Sequence, residues 1–381
     1  MYLRHLTLTN YKNIATTSLD FSSKLNCVIG SNGMGKTNLL DSIFYLSFTK
    51  THTNLPDQMV IKEGQEMAVL EGDYRMNSKD EKLFLGIRNG KPKVLKRNKK
   101  EYPKISDHIG IFPLVMISPS DIELIKGGSI ERRKFMDQLI SQESNDYLVS
   151  AINYKRLLEQ RNTLLKQPYG LDFDVLSILD EQMAREAEVL HRYRADWVTR
   201  IRPLFLKNYH FISDNRDSID LRFLPSFESD EPYDAALFLR MWKESFEKDR
   251  FLGHTSLGPH KDDLEMLLNG TLIRKVGSQG QNKSYMVALK FAQYVLLSSR
   301  MNADNRPIIL LDDVFDKLDA HRVDRIVQLV AGSEFGQIFM TDTNRKYLDH
   351  ILSELPEPNY SIIEASEGSF RVIEAVGDET H

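Results

Sequence analysis

The segment Gly30–Thr37, which reads GSNGMGKT, constrains the fold of this chain more than any other feature of the sequence. It fits the pattern G-x-x-x-x-G-K-[ST]; the apolar run SKLNCVI precedes it, and the helical run TNLLDSIFYL begins at its last residue. In such a loop the glycines let backbone N–H groups surround a polyphosphate, while the hydroxyl binds Mg²⁺. The alternative is a chance glycine-rich turn, which the strand–loop–helix context disfavours. We therefore expect an α/β domain with a nucleotide-binding loop.

Every residue of this loop is a candidate for nucleotide binding. The candidates are Gly30, Ser31, Asn32, Gly33, Met34, Gly35, Lys36 and Thr37. Lys36 can reach the β- and γ-phosphates and is also counted as catalytic, and Thr37 is also a candidate metal ligand.

A second motif supplies carboxylates. The run PIILLDD, at 307–313, is an apolar strand that ends in two aspartates, as is typical of a strand buried on both faces of a parallel sheet. Asp312 could lie beside the metal held by Thr37, and Asp313 could polarise the attacking water. On its own, such a strand end is more often just exposed to water, so the phosphate loop is what favours the functional interpretation.

Charge and cysteine content limit the class of protein. The 381 residues include 50 Lys and Arg against 54 Asp and Glu, so the formal charge of -4 gives no argument for general polyanion binding and does not exclude a local basic face. The single cysteine, Cys27, excludes a disulfide framework and a thiolate zinc site. No run approaches the ~18 apolar residues of a membrane span. We expect a soluble, cytoplasmic protein with no membrane partner.

The pattern of the chain changes twice along its length. Ser129 is the expected N-cap of a helical pattern that runs to about Leu165, and a second long helix is expected from about Phe173 towards Phe205. Hairpin signals lie at Asn89-Gly90 and at Glu367-Gly368. The predicted division is 1–126 and 251–381 as the two parts of an ATPase head, with 127–250 as a helical insertion between them.

A second glycine-containing loop, GSQGQNK at 277–283, also precedes a helix. It resembles the signature loop of ATPases that dimerise head to tail, in which a nucleotide lies between the phosphate loop of one subunit and the signature loop of the other. Ser278, the Gly280 amide and the helix start could bind a γ-phosphate presented by a second chain. A loop and helix cap with no ligand is the alternative.

The order of these motifs resembles that of the RecF family of recombination mediator ATPases, a short-armed relative of the SMC class. The segments that carry the resemblance are LTLTNYKNI, GSNGMGKTNLLDSI, SPSDIELIKGGSIERRKFMDQLI, YKRLLEQRNTLLK, LGPHKDDLEM, GSQGQNKSYMVALK and IILLDDVFDKLDAHR. GPHKDDL together with SQGQ is specific to this family rather than to ATP-binding cassettes in general. The resemblance implies an α/β fold: an ABC/SMC-type P-loop ATPase head with a helical arm insertion.

The same resemblance implies a function. It implies an ATP-dependent homodimer that binds double-stranded and gapped DNA, acts with the RecR and RecO proteins, and helps to load RecA. The implied enzyme is a weak, DNA-stimulated ATPase whose hydrolysis turns the clamp off. ATP and Mg²⁺ are the implied cofactors.

Family roles carry over residue by residue. They fall on Lys36 and Thr37 for phosphate and magnesium, on Asp312 for the second metal position, on Asp313 for the hydrolytic carboxylate, and on Ser278, Gly280 and Gln281 for the signature loop. Lys12, in YKN, matches a basic position of the family's usual Phe-Arg-Asn and is expected to contact the nucleotide. The chain departs from the pattern at Asp41, where members usually have Glu. It has Thr341 and Asp342 where transporter-type cassettes carry a switch histidine.

DNA contacts are expected from basic residues of the arm. The candidates are Arg132, Arg133, Lys155, Arg156 and Arg161. Arg132 and Arg133 lie with Lys134 in the first turns of a helix, against the macrodipole preference, which indicates an anion partner; a solvated face or an internal ion pair is an equal alternative for them. The lysine-rich run 91–104 could also hold DNA, or it could protect the edge of a sheet from pairing. For His260, in GPHKDD, we expect a role in a structural turn or at the dimer interface rather than in a metal site.

Other functions remain possible on the sequence alone. A transporter ATPase would need a membrane partner and usually a switch histidine, and the helical insertion does not suit it. Another SMC-like chromosome-maintenance ATPase would need long heptad arms or a nuclease domain. A scaffold that binds ATP without hydrolysing it is the third alternative, and measurable turnover at Asp313 separates it from the leading one.

Overall fold

The structure of the protein is a computed structural model that describes residues 1–167, 169–214, 216–302, 305–316, 318–332, 335–343, 349, 351–353 and 359–377. Its strands are β1 (Tyr2–Tyr11), β2 (Ile14–Asp20), β3 (Leu25–Ile29), β4 (Met67–Met76), β5 (Lys79–Arg88), β6 (Val94–Arg97), β7 (Lys100–Glu101), β8 (Leu114–Ile117), β9 (Ile219–Leu224), β10 (Asp263–Leu268), β11 (Thr271–Leu272), β12 (Ile308–Leu311), β13 (Ile338–Asp342), β14 (Tyr360–Ser366) and β15 (Ser369–Val376). Its α-helices are α1 (Lys36–Phe48), α2 (Glu123–Lys126), α3 (Ser129–Glu143), α4 (Asn145–Leu165), α5 (Phe173–Ser213), α6 (Ala235–Glu244), α7 (Phe246–Leu252), α8 (Ile273–Val276), α9 (Gln279–Ser298) and α10 (Ala320–Ala331).

The described strands form three sheets. The first is antiparallel, in the order β2-β1-β4-β5-β6-β7. The second, in the order β15-β14-β3-β13-β12-β8, is parallel except for the β14–β15 hairpin. A small antiparallel sheet has the order β11-β10-β9. Because β3, β13 and β12 are parallel neighbours, their carboxyl ends meet at one edge, which is where ligands bind in sheets of this kind.

Helix α1 is fixed by burial. Leu39, Leu40, Ile43 and Phe44 are fully buried, and they belong to one apolar cluster with side chains from both six-stranded sheets. A large apolar side chain stabilises a fold by roughly 1.5–3 kcal/mol when it is fully buried. The start of this helix, and the loop that leads into it, are therefore held by a rigid support.

The chain divides into two compact units. The first unit is Met1–Asp121, Lys207–Asn215 and Ser278–His381, and the second unit is Ile122–Leu206 and Arg216–Gly277. The predicted three-part division stays a prediction. The second unit differs from the predicted insertion in beginning at residue 122, in lacking residues 207–215 and, most of all, in including residues 251–277. The physical reason is strand pairing: Asp263–Leu268 pairs with Ile219–Leu224, so this segment is tied to the second unit.

Two local predictions are corrected and two are confirmed. Ser129 does not cap α3, because the capping position is Gly128 and no side chain caps that end. The helical run to Leu165 is interrupted at Ser144, whose extended backbone ends α3 and whose hydroxyl caps α4. The hairpins that turn near Gly90 and Gly368 are both present.

None of the described helices combines the length and the apolar character that crossing a membrane requires.

Candidate nucleotide site

The loop between β3 and α1 has a backbone that glycine is suited to. Gly30, Gly33 and Gly35 have φ of 152°, 83° and 100°. A Cβ atom on Gly30 would lie 2.5 Å from the carbonyl oxygen of Ala365, so a side chain does not fit there. Gly35 occupies the capping position of α1, and no side chain caps this end. The N–H groups of the first helical turn have no partner within the helix, so they are suited to bind an anion.

Lys36 places a positive charge inside the loop. Its Nζ atom donates to the carbonyl oxygens of Gly30, at 2.6 Å, and Ser31, at 3.1 Å. The residue is only 5% exposed, whereas Ser31 and Asn32 are exposed at the rim of the loop. The buried ammonium group is held by neutral oxygens, which a phosphate with its full negative charge could replace.

Thr37 and Asp312 meet, although they are 275 residues apart in sequence. The Thr37 hydroxyl donates to the Asp312 carboxylate, with Oγ1 3.1 Å from Oδ1 and 3.0 Å from Oδ2. The Thr341 hydroxyl also donates to Oδ1, at 2.7 Å. Burial raises the pKa of Asp312, against the lowering effect of these two hydroxyl donors. A nearby cation would offset the cost of ionising this buried carboxyl.

The donor set of this pair fits Mg²⁺. A hydroxyl and a carboxylate are hard oxygen ligands, and Mg²⁺ is usually held by one or two carboxylates together with substrate phosphates and water. In the described part of the chain, no group of three or more His, Cys, Asp or Glu side chains could hold a metal by itself. Thr37 and Asp312 therefore suit a metal that arrives with a phosphate ligand.

Asp313 follows Asp312 at the end of β12 and has an unusual backbone. Its φ is 46°, in the left-handed region that few residues other than glycine, Asn and Asp adopt. Its N–H donates to the Thr341 hydroxyl at 3.0 Å, and its carbonyl oxygen accepts from Lys283 at 3.2 Å. These contacts from β13 and α9 fix a strained residue beside the candidate metal pair.

Lys12 lies in the turn between β1 and β2, and its charge is paired. Its Nζ atom is 2.6 Å from Oδ2 of Asp41, a buried carboxylate in α1 that also accepts from the Tyr11 hydroxyl. The next residue, Asn13, has its side chain 3.0 Å from the position of a Cβ on Gly35. The turn therefore lies against the loop, and Lys12 reaches Asp41 from it.

The candidate signature loop begins α9. Ser278 caps the helix by accepting from the Gln281 N–H at 3.2 Å, and the Gln281 side chain accepts from the Ser278 N–H at 3.0 Å. A Cβ on Gly280 would lie 2.3 Å from a guanidinium nitrogen of Arg322, so this position is closed to larger side chains unless Arg322 moves. Lys283 links the helix to the carbonyl oxygens of Asp313 and Asp316.

Comparison with known proteins decides the family. The model of the RecF/RecN/SMC N terminal domain matches residues 2–355. The "DNA replication and repair protein RecF" of Parabacteroides distasonis is 46% identical over 374 residues, covering 98% of this chain and 100% of that protein. The protein of the same name from Bacteroides thetaiotaomicron is 45% identical over 380 residues, with both chains covered completely. The chain belongs to the RecF family.

Solved structures agree with this assignment. The recombination mediator protein RecF with ATP, in the RecFOR pathway, has a TM-score of 0.87 and 26% identity, covering 98% of each chain. An Smc head bound to the C-winged helix domain of ScpA has a TM-score of 0.57 at 15% identity, covering 100% of this chain and 98% of that one, which shows a shared fold alone. The predicted fold class, an α/β head of the ABC/SMC type, is confirmed.

Two residues of this RecF-family site were not assigned a role from the sequence. Thr341 holds both Asp312 and the backbone of Asp313, and Asn13 lies against the phosphate loop. The signals for Thr341 were its position at the end of an apolar strand, GQIFMTDT, and its place where transporter-type cassettes carry a switch histidine. Asn13 had no signal beyond its place in YKN.

The expected DNA contacts of this RecF-family arm need correction. Arg161 is fully buried and is bound to Asp180 and Asp249. Arg132 is paired with Asp263 through two nitrogens and is nearly buried. Neither can neutralise a DNA phosphate without giving up its carboxylate partner, which makes them structural residues.

Of the other three arm candidates, one is half-buried and two are exposed. Arg133 donates to the backbone oxygen of Asp262 at 2.6 Å, and burial lowers its pKa. Lys155 and Arg156 are exposed on α4 and remain candidates. His260 is held by the Tyr154 hydroxyl and by the carbonyl oxygen of Thr255, and burial lowers its pKa to about 4, which matches a structural turn.

Proposed function

We propose that this chain is an ATP-dependent DNA-binding protein that dimerises on ATP, binds duplex and gapped DNA, and promotes the loading of RecA in recombinational repair. The observation that carries the proposal is the contact of Thr37 with Asp312, at 3.0 Å, beside an uncapped helix start and a buried lysine. This arrangement suits a nucleoside triphosphate with its metal. The names of the relatives, and the structure of a relative with ATP, support the role in repair.

Different residues of the site would bind the phosphates, the metal and the attacking water. The N–H groups of residues 33–37 and the Lys36 ammonium group would bind the β- and γ-phosphates. Thr37 and Asp312 would hold Mg²⁺, which would supply positive charge to the phosphates. Asp313 would accept a proton from the attacking water, and its fixed backbone would set the place where the water is held.

The signature loop would act on a second chain. Ser278, Gly280 and Gln281 start a helix, in which the capping box engages the N–H groups of Ser278 and Gln281. The Gly280 N–H and the Ser278 hydroxyl hydrogen would therefore be the donors to the γ-phosphate of a partner's nucleotide, with Gln281 holding the loop. Arg322 lies close to Gly280 and would limit how the loop can move. ATP would then join two chains, and its hydrolysis, weak and stimulated by DNA, would release them.

The dimer would carry the contacts to DNA and to other proteins. Two copies of any basic surface would face one duplex, which increases the number of phosphates neutralised. Of the five arm candidates, Lys155 and Arg156 are the two that are exposed and available for this role. RecR and RecO are the proposed protein partners, on the strength of a relative that belongs to the RecFOR pathway. Location in the cytoplasm stays a prediction.

Ser278→Arg is expected to abolish the ATP-induced dimer while leaving ATP binding by the monomer intact. The larger, charged side chain would occupy the space in which the partner's γ-phosphate has to lie. Sedimentation velocity with and without ATP measures the dimer, and fluorescent ATP measures binding. Removing a helix cap also costs about 1 kcal/mol. Ser278→Ala is the comparison variant: it loses the cap and the hydroxyl without adding bulk, so it should weaken the dimer less than Ser278→Arg does. An ordinary ATP dimer in Ser278→Arg would rule out the sandwich arrangement.

A further inference from the structure

A chain of buried polar contacts runs from the turn after β1 to α9, entirely within the first unit. Lys12 is paired with Asp41, whose other oxygen accepts from the His52 backbone N–H at 2.8 Å. The His52 ring then places Nε2 3.3 Å from Oδ1 of Asp121. The same Asp121 oxygen is 2.8 Å from Nζ of Lys290, which lies in α9.

Asp121 is the centre of this chain of contacts. Its side chain is 10% exposed, as is that of His52, and that of Lys290 is 6% exposed. Its second oxygen accepts from the Ser118 N–H at 2.7 Å. Burial acts to raise the pKa of Asp121, but the Lys290 and His52 charges outweigh it and hold the pKa well below its usual range. The carboxylate is therefore ionised, and it is the counterion of a buried lysine.

The position of His52 depends on its neighbours. Its ring packs edge-on against Phe44 of α1, with ring centroids 5.0 Å apart. Its Nδ1 atom is buried and has no hydrogen-bond partner in the described part of the chain. A buried nitrogen without a partner is unfavourable, so the ring is held there by Asp121, by Phe44 and by the backbone bond to Asp41.

These contacts join the parts of the candidate site. Phe44 and Asp41 belong to the helix that begins with Lys36 and Thr37, and Lys290 belongs to the helix that the signature loop begins. Lys290 also donates to the Met116 carbonyl oxygen in β8, and the next residue of that strand, Ile117, accepts from the Asp312 N–H at 2.8 Å. One carboxylate thus connects the phosphate-loop helix, the signature helix and the strand that supports Asp312.

We propose that Asp121 is a positioning residue that holds the signature loop in register with the phosphate loop of the same chain. In a symmetric dimer, each nucleotide would lie between the phosphate loop of one chain and the signature loop of the other. An error in the relative position of the two loops within a chain therefore affects both nucleotide sites at once. The proposal rests on the proposed function for this consequence. The geometric part, that Asp121 couples α1 to α9, does not depend on it.

The test compares Asp121→Asn with the double variant Asp121→Asn/Lys290→Met. The single variant removes the carboxylate that pairs with the buried Lys290 ammonium group and is expected to be destabilised. The double variant removes that charge, so its melting temperature should return towards that of the wild type. In both variants, monomer affinity for ATP should change less than about threefold, while ATP-induced dimerisation weakens by about tenfold or more, which is about 1.4 kcal/mol.

A role in stability alone predicts a different result. In that case the double variant would recover dimerisation together with its melting temperature, and the proposal would be overturned. Glu123→Gln is the matched control, because it removes an exposed carboxylate two residues further along the chain and should change neither property. If dimerisation fell by the same amount in this control, the specific positioning role of Asp121 would also be overturned.

Amide hydrogen exchange of the nucleotide-free monomer provides a readout that needs neither ATP nor a dimer. Exchange in the first turns of α9 should be faster in the double variant than in the wild type, although the two melt at similar temperatures. Unchanged exchange there would overturn the coupling. If the wild type forms no dimer with ATP but exchange changes as expected, then the proposed function fails and the positioning role of Asp121 stands.

Discussion

Asp313→Asn is expected to slow ATP turnover by about 100-fold or more while ATP binding and the ATP-induced dimer persist. A positioned general base contributes about 10²–10⁴ in rate, and an amide of the same shape cannot accept the proton. Asn is the appropriate replacement because the backbone has φ of 46°, a conformation that Asn adopts readily and Ala does not. Single-turnover and steady-state phosphate release measure the loss.

The control for this substitution lies in the same turn. Asp316→Asn removes an exposed carboxylate three residues later and leaves Lys283 its carbonyl partners, so turnover should stay close to that of the wild type. Turnover that is unaffected in Asp313→Asn would make Asp313 only a strand-end carboxylate. A loss of ATP binding in the same variant would instead assign it to the binding of the nucleotide.

Lys36→Ala is expected to lower the affinity for ATP by about tenfold to 100-fold in a folded protein. Hydrogen bonds to a charged group contribute about 1.5–3 kcal/mol, and Lys36 is the ammonium group that lies inside the loop, 2.6 Å from the carbonyl oxygen of Gly30. The fold should survive because the apolar face of α1 holds the helix. Equilibrium binding of a fluorescent ATP analogue, with circular dichroism as a check of folding, measures both properties.

Lys24→Ala is the matched control for the loss of a lysine. Lys24 donates to the carbonyl oxygen of Phe335 at 2.8 Å and precedes β3, whereas the phosphate loop follows the other end of that strand. Both variants lose one positive charge together with lysine–carbonyl bonds, two for Lys36 and one for Lys24, but only Lys36 lies in the loop. Equal ATP affinity in the wild type and in Lys36→Ala would exclude the phosphate-loop assignment.

The sequence was sufficient for the arrangement around Thr37 and Asp312. The loop that ends in Thr37 follows one buried strand, and Asp312 follows another. The carboxyl ends of parallel strands lie at one edge of the sheet, so these two residues could be expected to meet although they are far apart in sequence. The contact of Thr341 with Asp312 could not be predicted, because it depends on the place of β13 in the sheet. Thr341 reaches Asp312 because β13 lies between β3 and β12, and strand order is not written in any local motif.

Buried charge pairs were beyond the reach of the sequence. Arg161 has a partner 88 residues away, and Arg132 has one 131 residues away. A basic residue on a helix gives the same local pattern whether it faces solvent or a distant carboxylate. Arg161 was therefore mistaken for a DNA contact, and for Arg132 a DNA contact and an internal ion pair were equally open. The chain of contacts through His52 and Asp121 was missed for the same reason.

The pairing that ties residues 263–268 to the second unit could not be predicted, because its sheet gives weak signals. The strands β9 and β10 are six residues each, and the region before β9 has a mixed pattern. Short antiparallel strands depend on cross-strand pairing for most of their stability. A reader of the sequence therefore cannot tell that 263–268 belongs beside 219–224 until the pairing is seen.

The central claim is that ATP, by joining two chains, controls binding to DNA, and a salt titration of duplex binding with and without ATP tests it most directly. Affinity for a duplex falls with salt by about 0.9 log units per decade for each phosphate neutralised. If ATP brings two copies of the basic surface onto one duplex, binding with ATP should be tighter and its salt dependence steeper than without ATP. Equal affinity and equal slope in the two states would contradict the account, because DNA binding would then be independent of the ATP sandwich.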